Sequence, residues 1–240
     1  MVADMHCHIL PGIDDGSRNR KETEKMLKLS FAEGIDTIVA TPHFFCGMSE
    51  KLLKERDEAF EQTKRMAAGI RPDAVLYPGN EVFYSTEVPD ALKRGDAKTI
   101  NGTRYVLVEF EECADFGTIE KACQNLFYAG YWPILAHIDR FEGTRSEDHV
   151  KELVKQQVVM QVNTDAVMGA DGWRTRHYIL KLMKHGLIHI LGTDAHGCEH
   201  RRPQMKSCLK EIEKRFGYDY RCAVSEKNPQ KIIKGEKLYG

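Results

Sequence analysis

Apolar residues recur along this chain in two alternating patterns. Segment 19–33 carries them at helical spacing and stops before Gly34, a residue that commonly ends helices: Met26, Leu27, Leu29, Phe31 and Ala32. Segment 35–41 is a short apolar run of the kind that forms a strand. This part of the chain therefore predicts a helix followed by a strand.

The alternation continues through most of the chain. With the first strand at the N-terminus, seven strands are predicted, at residues 2–10, 35–41, 74–78, 105–110, 132–138, 158–163 and 187–192. Helices are predicted at residues 19–33, 50–68, 89–94, 118–129, 146–157, 173–185 and 202–216. Short apolar strands that alternate with helices predict an α/β protein whose parallel sheet is buried on both faces.

Such a sheet can close into a barrel or stay open, and the pattern leaves both arrangements open. No Gly-x-Gly-x-x-Gly or Gly-x-x-x-x-Gly-Lys-Ser/Thr loop follows a predicted strand, which disfavours the open sheets that bind nucleotides. The 240 residues, 42% of them apolar, suit one domain of barrel size over residues 1–240.

Charge and cysteine usage narrow the functional classes. With 35 basic and 36 acidic residues, the net charge of −1 predicts no general attraction to nucleic acid or anionic membrane. No apolar run approaches the ~18 residues of a membrane span, and we expect a soluble, unprocessed chain. Seven cysteines without a Cys-x-x-Cys pair suit free thiols in a reducing compartment, so we expect a cytoplasmic protein.

Metal-ligating side chains occur at the ends of the predicted strands. In the first strand, His6 and His8 share one face about 7 Å apart, while Cys7 points to the other face. Six of the seven strand ends carry His, Asp or Glu: His6 and His8, His43, Glu81, Glu109, His137, and Asp194 with His196. Because the C-terminal strand ends of a parallel barrel meet at one rim, the sequence predicts a metal centre there.

The number of these side chains indicates more than one ion. Counting one of Asp14 and Asp15, five imidazoles and four carboxylates exceed the ligands of a single cation. Nitrogen and oxygen ligands without thiolate favour Mn, Fe or Zn in a cluster of two or three ions. Three divalent ions and four carboxylates would leave a positive surplus that suits a phosphate dianion, with metal-bound water of pKa ~7 as nucleophile.

Five motifs resemble those of the polymerase-and-histidinol-phosphatase (PHP) superfamily: Asp4-Met-His6-Cys-His8, Thr41-Pro42-His43, Asn80-Glu81, Ala136-His137 and Thr193-Asp194-Ala195-His196. More narrowly, segments 6–17, 108–110, 136–140 and 228–232 resemble the manganese-dependent bacterial protein-tyrosine phosphatases of capsule and exopolysaccharide loci. The resemblance implies a distorted seven-stranded TIM-like barrel, (β/α)7, with a cluster of three Mn ions, Fe and Zn being the alternatives.

The resemblance also implies an assignment of ligands. One ion would take His6, His8, Glu81 and Asp194. A second would share Glu81 as a bridge and add Glu109 and His137. The third would take His43, His196 and Asp15, with Asp14 as the alternative carboxylate. Arg140 and Arg201 match the phosphate-contacting arginines of the family, and Arg202 stands next to the second of them.

The implied function is a metal-dependent protein-tyrosine phosphatase that uses a metal-bridging hydroxide. Its substrate would be the phosphotyrosine-bearing tail of a bacterial tyrosine autokinase that controls capsule or exopolysaccharide synthesis. No nucleic-acid partner and no membrane insertion are expected, and the oligomeric state is left open.

Other function classes fit the sequence less completely or stay open. A thiol-based phosphatase is excluded, because no cysteine is followed by Arg six positions later. A metal amidohydrolase usually has Lys on strand four and His on strand six, where Glu109 and Asn163 stand here. Other PHP phosphoesterases, acting on histidinol phosphate or nucleic-acid ends, and a non-catalytic metal-binding regulatory module stay open.

Overall fold

The computed structural model describes residues 1–239 and consists of strands that alternate with helices along the chain. Its strands are β1 Ala3–Cys7, β2 Thr37–Ala40, β3 His43–Phe44, β4 Val75–Pro78, β5 Glu81–Phe83, β6 Tyr105–Glu109, β7 Trp132–Leu135, β8 Val159–Asn163 and β9 Ile190–Gly192. Its α-helices are α1 Arg20–Ala32, α2 Glu50–Ile70, α3 Val88–Arg94, α4 Phe116–Tyr128, α5 Glu147–Lys155, α6 Thr164–Met168, α7 Trp173–Lys184, α8 Lys206–Phe216, α9 Tyr218–Cys222 and α10 Asn228–Lys234.

All of these strands pair in parallel, in the orders β1-β2-β4 and β3-β5-β6-β7-β8-β9. Strand β3 continues β2 after a short break, and β5 continues β4 in the same way. The backbone N–H of Gly79 donates to the carbonyl of Ala40 at 2.9 Å, and that of Glu81 donates to the carbonyl of Pro42 at 3.2 Å, so pairing persists across both breaks.

The sheet curls until its first and last strands meet. A single parallel bridge joins Cys7 to Ala195, and the N–H of His8 donates to the carbonyl of Ala195 at 3.0 Å. With the two broken strands each counted once, seven barrel strands result. The prediction of a distorted (β/α)7 TIM-like barrel is confirmed.

Apolar residues form two core clusters. The larger lies between strands and helices and includes Met26 and Leu27 of α1, as the helical spacing predicts. The smaller joins strand residues such as Leu107 to Ile232 and Ile233 of α10. The strands are buried on both faces, so apolar residues must cover both sides of the sheet, and two clusters result.

The C-terminal segment closes the end of the barrel where the strands begin. The hydroxyl of Tyr105 donates to the carbonyl of Glu236 and accepts from the N–H of Leu238, both at 2.9 Å. The hydroxyl of Tyr239 donates to the carbonyl of Val158 at 3.0 Å. The opposite end, where the strands finish, carries the predicted ligands.

Several local predictions differ from the structure. The helix predicted at 202–216 begins only at Lys206; Pro203 disfavours helical geometry at Arg202, and Met205 has a φ of −120°. Helix α6 has five residues, too few to show a helical period. None of the helices within residues 1–239 is long and apolar enough to cross a bilayer. The organisation of residues 1–240 as one domain stays a prediction.

Candidate metal centre

The first strand brings two histidines to one point. His6 and His8 are fully buried, and their Nε2 atoms lie 3.1 Å apart. Cys7, between them, packs into the larger apolar cluster on the other side of the strand. The alternation of side chains along a strand thus separates the thiol from the imidazoles, as predicted.

Glu81 lies at the centre of the histidines. Its Oε2 is 3.2 Å from Nε2 of His6, 3.1 Å from Nε2 of His8 and 3.1 Å from Nδ1 of His43. Its Oε1 is 2.6 Å from Nε2 of His137. One carboxylate therefore contacts four imidazoles from three separate segments of the chain.

Glu109 and Asp194 flank this centre. Glu109 lies at the end of β6, and its Oε1 is 3.0 Å from Nδ1 of His43. Oδ1 of Asp194 lies 3.5 Å from Nε2 of both His6 and His8. One ligand atom from each of His6, His8, Glu81 and Asp194 lies within 4.8 Å of the others, as do those of the group His43, Glu81 and Glu109.

A third group contains Asp15. Its Oδ1 is 3.4 Å from Nε2 of His43 and 3.4 Å from Nε2 of His196, and these atoms group with His8 within the same 4.8 Å limit. Asp14 instead accepts from Nδ1 of His8 at 2.8 Å and from the N–H of His43 at 3.0 Å. Of the two carboxylates that the sequence left open, Asp15 faces the group and Asp14 orients its histidines, a common outer partner of a metal-binding imidazole.

Two of the three candidate arginines reach the same carboxylate. Nη2 of Arg201 lies 2.6 Å from Oδ2 of Asp194, and Nη2 of Arg140 lies 3.1 Å from it. Arg202 is exposed, and among the described residues it makes no ion pair with Asp194. The arginines predicted at positions 140 and 201 thus border the site, between the solvent and the ligands.

Strand β8 supplies support that the sequence analysis missed. Oε1 of Gln161 accepts from the N–H of His137 at 2.7 Å and lies 3.3 Å from Nδ1 of His6. Nδ2 of Asn163 donates to Asp194 at 2.8 Å. The signal was present: two amide side chains, two residues apart on one face of a strand that is otherwise apolar, need partners inside the barrel.

Asp4 is a second supporting residue. It is fully buried, and its two oxygens accept from the N–H of Thr193 at 2.7 Å and the hydroxyl of Thr193 at 2.5 Å. Burial raises the pKa of Asp4 to about 6, against the opposing effect of these bonds. Asp4 therefore ties the strand that carries His6 to the segment that carries Asp194.

The backbone is strained at three of the site residues. His137, Asp194 and Arg201 have φ values of 26°, 51° and 45°, in the left-handed region that residues other than glycine rarely adopt. Such conformations persist where the surrounding contacts impose them, and they concentrate at functional sites. No sequence pattern marks these positions, since none of them is a glycine.

Charges inside the site shift the pKa values of its groups. Burial lowers the pKa of His8, but its bonds to Asp14 and Glu81 outweigh this effect and raise the pKa to about 10. Burial alone would raise the pKa of Asp14, but the bond to His8 lowers it to about 2. Burial and the charge of His8 lower the pKa of His196 to about 4. The bond between His8 and Asp14 thus favours the charged form of both side chains.

The donor set fits divalent metal ions. Nε2 of His196 and Oδ1 of Asp194 are buried without a hydrogen-bond partner among the described residues. The facing Nε2 atoms of His6 and His8 can share at most one proton between them. Nitrogen and oxygen atoms that converge in this way, with hydrogen bonds left unmade, are suited to Mn, Fe or Zn.

A comparison with models of protein families shows to which family the chain belongs. Residues 2–234 match the family model described as capsular polysaccharide synthesis, CpsB/CapC. The chain belongs to the CpsB/CapC family. The resemblance drawn from the sequence motifs is therefore confirmed for nearly the whole chain.

Known members of the CpsB/CapC family carry phosphatase names. The tyrosine-protein phosphatase CpsB of Streptococcus pneumoniae is 29% identical over 97% of this chain and 98% of its own length. The tyrosine-protein phosphatase YwqE of Bacillus subtilis (strain 168) is 29% identical over 100% of this chain and 99% of its own. A crystal structure from work on these two proteins, described as unique metal-dependent tyrosine phosphatases, superposes with a TM-score of 0.90 at 27% identity and covers 99% of this chain and 96% of that one.

Proposed function

We propose that this chain is a metal-dependent protein-tyrosine phosphatase that acts on a bacterial tyrosine autokinase controlling capsule or exopolysaccharide synthesis. The observation that carries the proposal is the convergence of five histidines and four carboxylates on one end of the barrel, with Arg140 and Arg201 beside them. Membership of the CpsB/CapC family and the names of the relatives support it.

The ligands fall into three groups in this proposal. His6, His8, Glu81 and Asp194 hold one ion, while Glu81, Glu109 and His137 hold a second. His43, His196 and Asp15 hold a third. Bound Mn, or Fe or Zn in its place, would supply the Lewis acidity that activates the attacking water as a bridging hydroxide and offsets phosphoryl charge.

Metal content tests this grouping directly. Protein purified without chelator and reloaded with Mn should contain close to three ions per chain by elemental analysis, because nine ligands with one bridge exceed the needs of two ions. Dialysis against a chelator should remove both the ions and the activity. At most one ion after reloading would contradict the three-ion grouping.

The arginines bind the phosphoryl group in this proposal. Both contact Asp194 at the edge of the cluster and are partly accessible, with side chains 32% and 40% exposed for Arg140 and Arg201. A guanidinium donates two parallel hydrogen bonds to phosphate oxygens and stabilises charge that develops during transfer. A guanidinium group acts as a hydrogen-bond donor and not as a general acid.

An aryl ester suits a site of this kind. Phenol has a pKa of ~10, so phenolate leaves far more readily than the alkoxide of serine. The site therefore needs no strong proton donor for the leaving group. This preference, together with the capsule-synthesis family, supports phosphotyrosine on an autokinase tail as the substrate.

The cytoplasm is the compartment that this substrate implies. The seven cysteines are unpaired in residues 1–239, which is consistent with a reducing environment.

Substrate preference separates this proposal from its closest rival. With Mn supplied, kcat/KM should be higher for a phosphotyrosyl peptide than for the matching phosphoseryl peptide or for histidinol phosphate. Steady-state release of inorganic phosphate measures all three. A higher value for histidinol phosphate would favour a general PHP phosphoesterase, and no turnover of any substrate by metal-loaded protein would favour a regulatory module.

A further inference from the structure

Two phenylalanines lie directly beside the candidate metal centre at the barrel mouth. Phe45 follows β3 and is 44% exposed, which is unusual for so large an apolar side chain. Phe83 ends β5 and is half-buried. Their ring centroids are 5.5 Å apart, and the Phe45 ring is 5.9 Å from the ring of His43.

The register of two strands explains this position. His43 pairs with Glu81 between the parallel strands β3 and β5. Side chains two residues apart share a face, so Phe45 stands above His43 and Phe83 above Glu81, each about 7 Å nearer the solvent. His43 and Glu81 lie at one level, and the rings of Phe45 and Phe83 lie at the next level toward the solvent. Together these four side chains form a continuous wall.

The arginines follow other strands of the barrel than those that form this wall. Arg140 follows β7 and Arg201 follows β9, and both reach Asp194. The wall belongs to β3 and β5, which are separated from β7 by β6 in the sheet. A phosphate monoester held by the arginines at its free oxygens would direct its ester group toward Phe45 and Phe83.

We infer that Phe45 and Phe83 form the subsite that binds the aromatic ring of phosphotyrosine and so select aryl over alkyl phosphate esters. This inference rests on the proposed function and adds the residues that recognise the leaving group. Aromatic rings prefer offset or edge-to-face packing at centroid distances of about 4.5–7 Å, and the exposed face of Phe45 offers such a surface. Phosphoserine has no ring to fill it.

A binding measurement separates ring recognition from leaving-group reactivity. Benzylphosphonate carries the ring at the position that it has in phenyl phosphate and is not hydrolysed, while methylphosphonate lacks the ring. Isothermal titration of Mn-loaded protein should give a Kd about tenfold lower for benzylphosphonate than for methylphosphonate. In Phe45→Ala, that ratio should fall to within about twofold, with the Kd for methylphosphonate and the metal content unchanged.

Control variants sharpen the result. Tyr128→Ala removes an aromatic ring that is 89% exposed at the far end of α4, and it should keep the full ratio. Phe45→Leu keeps apolar volume without the ring; it should give an intermediate ratio and serves as the test variant if Phe45→Ala does not fold.

Two outcomes would overturn the inference. They are a wild-type protein that binds both phosphonates equally, and a Phe45→Ala protein that keeps the full ratio of Kd values, whether or not both ligands bind more weakly. Failure of the proposed function looks different: a wild type that prefers benzylphosphonate but does not hydrolyse phosphotyrosine keeps the aromatic subsite and contradicts only the phosphatase assignment.

Discussion

Replacing Glu81 by alanine should lower kcat for a phosphotyrosyl peptide by ~10³-fold or more, the upper range for loss of one preorganised charge-stabilising group. The reason is the position of this carboxylate, which contacts His6, His8, His43 and His137. No neighbouring side chain can take its place between the groups proposed to bind two ions. Elemental analysis of the same variant should show fewer than two ions per chain.

Two further variants make this result specific to Glu81. Glu81→Gln keeps the shape of the side chain but removes its charge, and it should also lose metal. Glu61→Ala removes an exposed carboxylate from α2 and should keep both the activity and the metal content. Near-normal turnover and metal content in Glu81→Ala would refute its role as a bridge.

Replacing Arg140 by alanine should lower kcat by ~10²-fold, the typical cost of one preorganised donor to a charged transition state. Metal content should not change, because Asp194 keeps its contacts with Asn163 and Arg201. Arg140→Lys should restore only part of the activity, since lysine cannot donate the paired, planar hydrogen bonds of a guanidinium. Steady-state kinetics beside metal analysis measure both quantities.

The neighbouring arginines provide the comparison for this variant. Arg201→Ala should behave like Arg140→Ala, since both side chains contact Oδ2 of Asp194. Arg202→Ala, one residue further, should stay within about twofold of wild type, because exposed charges contribute little. An equal loss of activity in Arg202→Ala would mean that the phosphate contact was assigned to the wrong residue.

The sequence could predict which ligands converge, because each ligand is marked by a short local pattern. A short apolar run ends, a His, Asp or Glu follows, and parallel strands bring all such ends to one rim. The same logic failed for Gln161 and Asn163, whose amides were not counted as ligands although they hold His6 and Asp194 in place. A search for metal-binding residue types alone cannot find the other residues that hold the ligands in place.

Local backbone geometry is the second feature that the sequence could not predict. The breaks between β2 and β3 and between β4 and β5 fall at Thr41-Pro42 and Gly79-Asn80, inside regions that the apolar pattern does not resolve. His137 and Asp194 have left-handed conformations, and their N–H groups donate to Gln161 and His6 of other strands. The choice between Asp14 and Asp15 depended on such geometry, because adjacent residues carry the same side chain and differ only in direction.

The joint between the first and last strands has a consequence for biosynthesis. The strand pairing at this joint is one bridge, from Cys7 to Ala195, and it runs between the residues proposed to share one ion. A growing chain makes His6, His8 and Glu81 well before Asp194. Until Asp194 has been made and the barrel has closed, this ion would lack one of its four proposed ligands, so tight metal capture is deferred to the closed barrel.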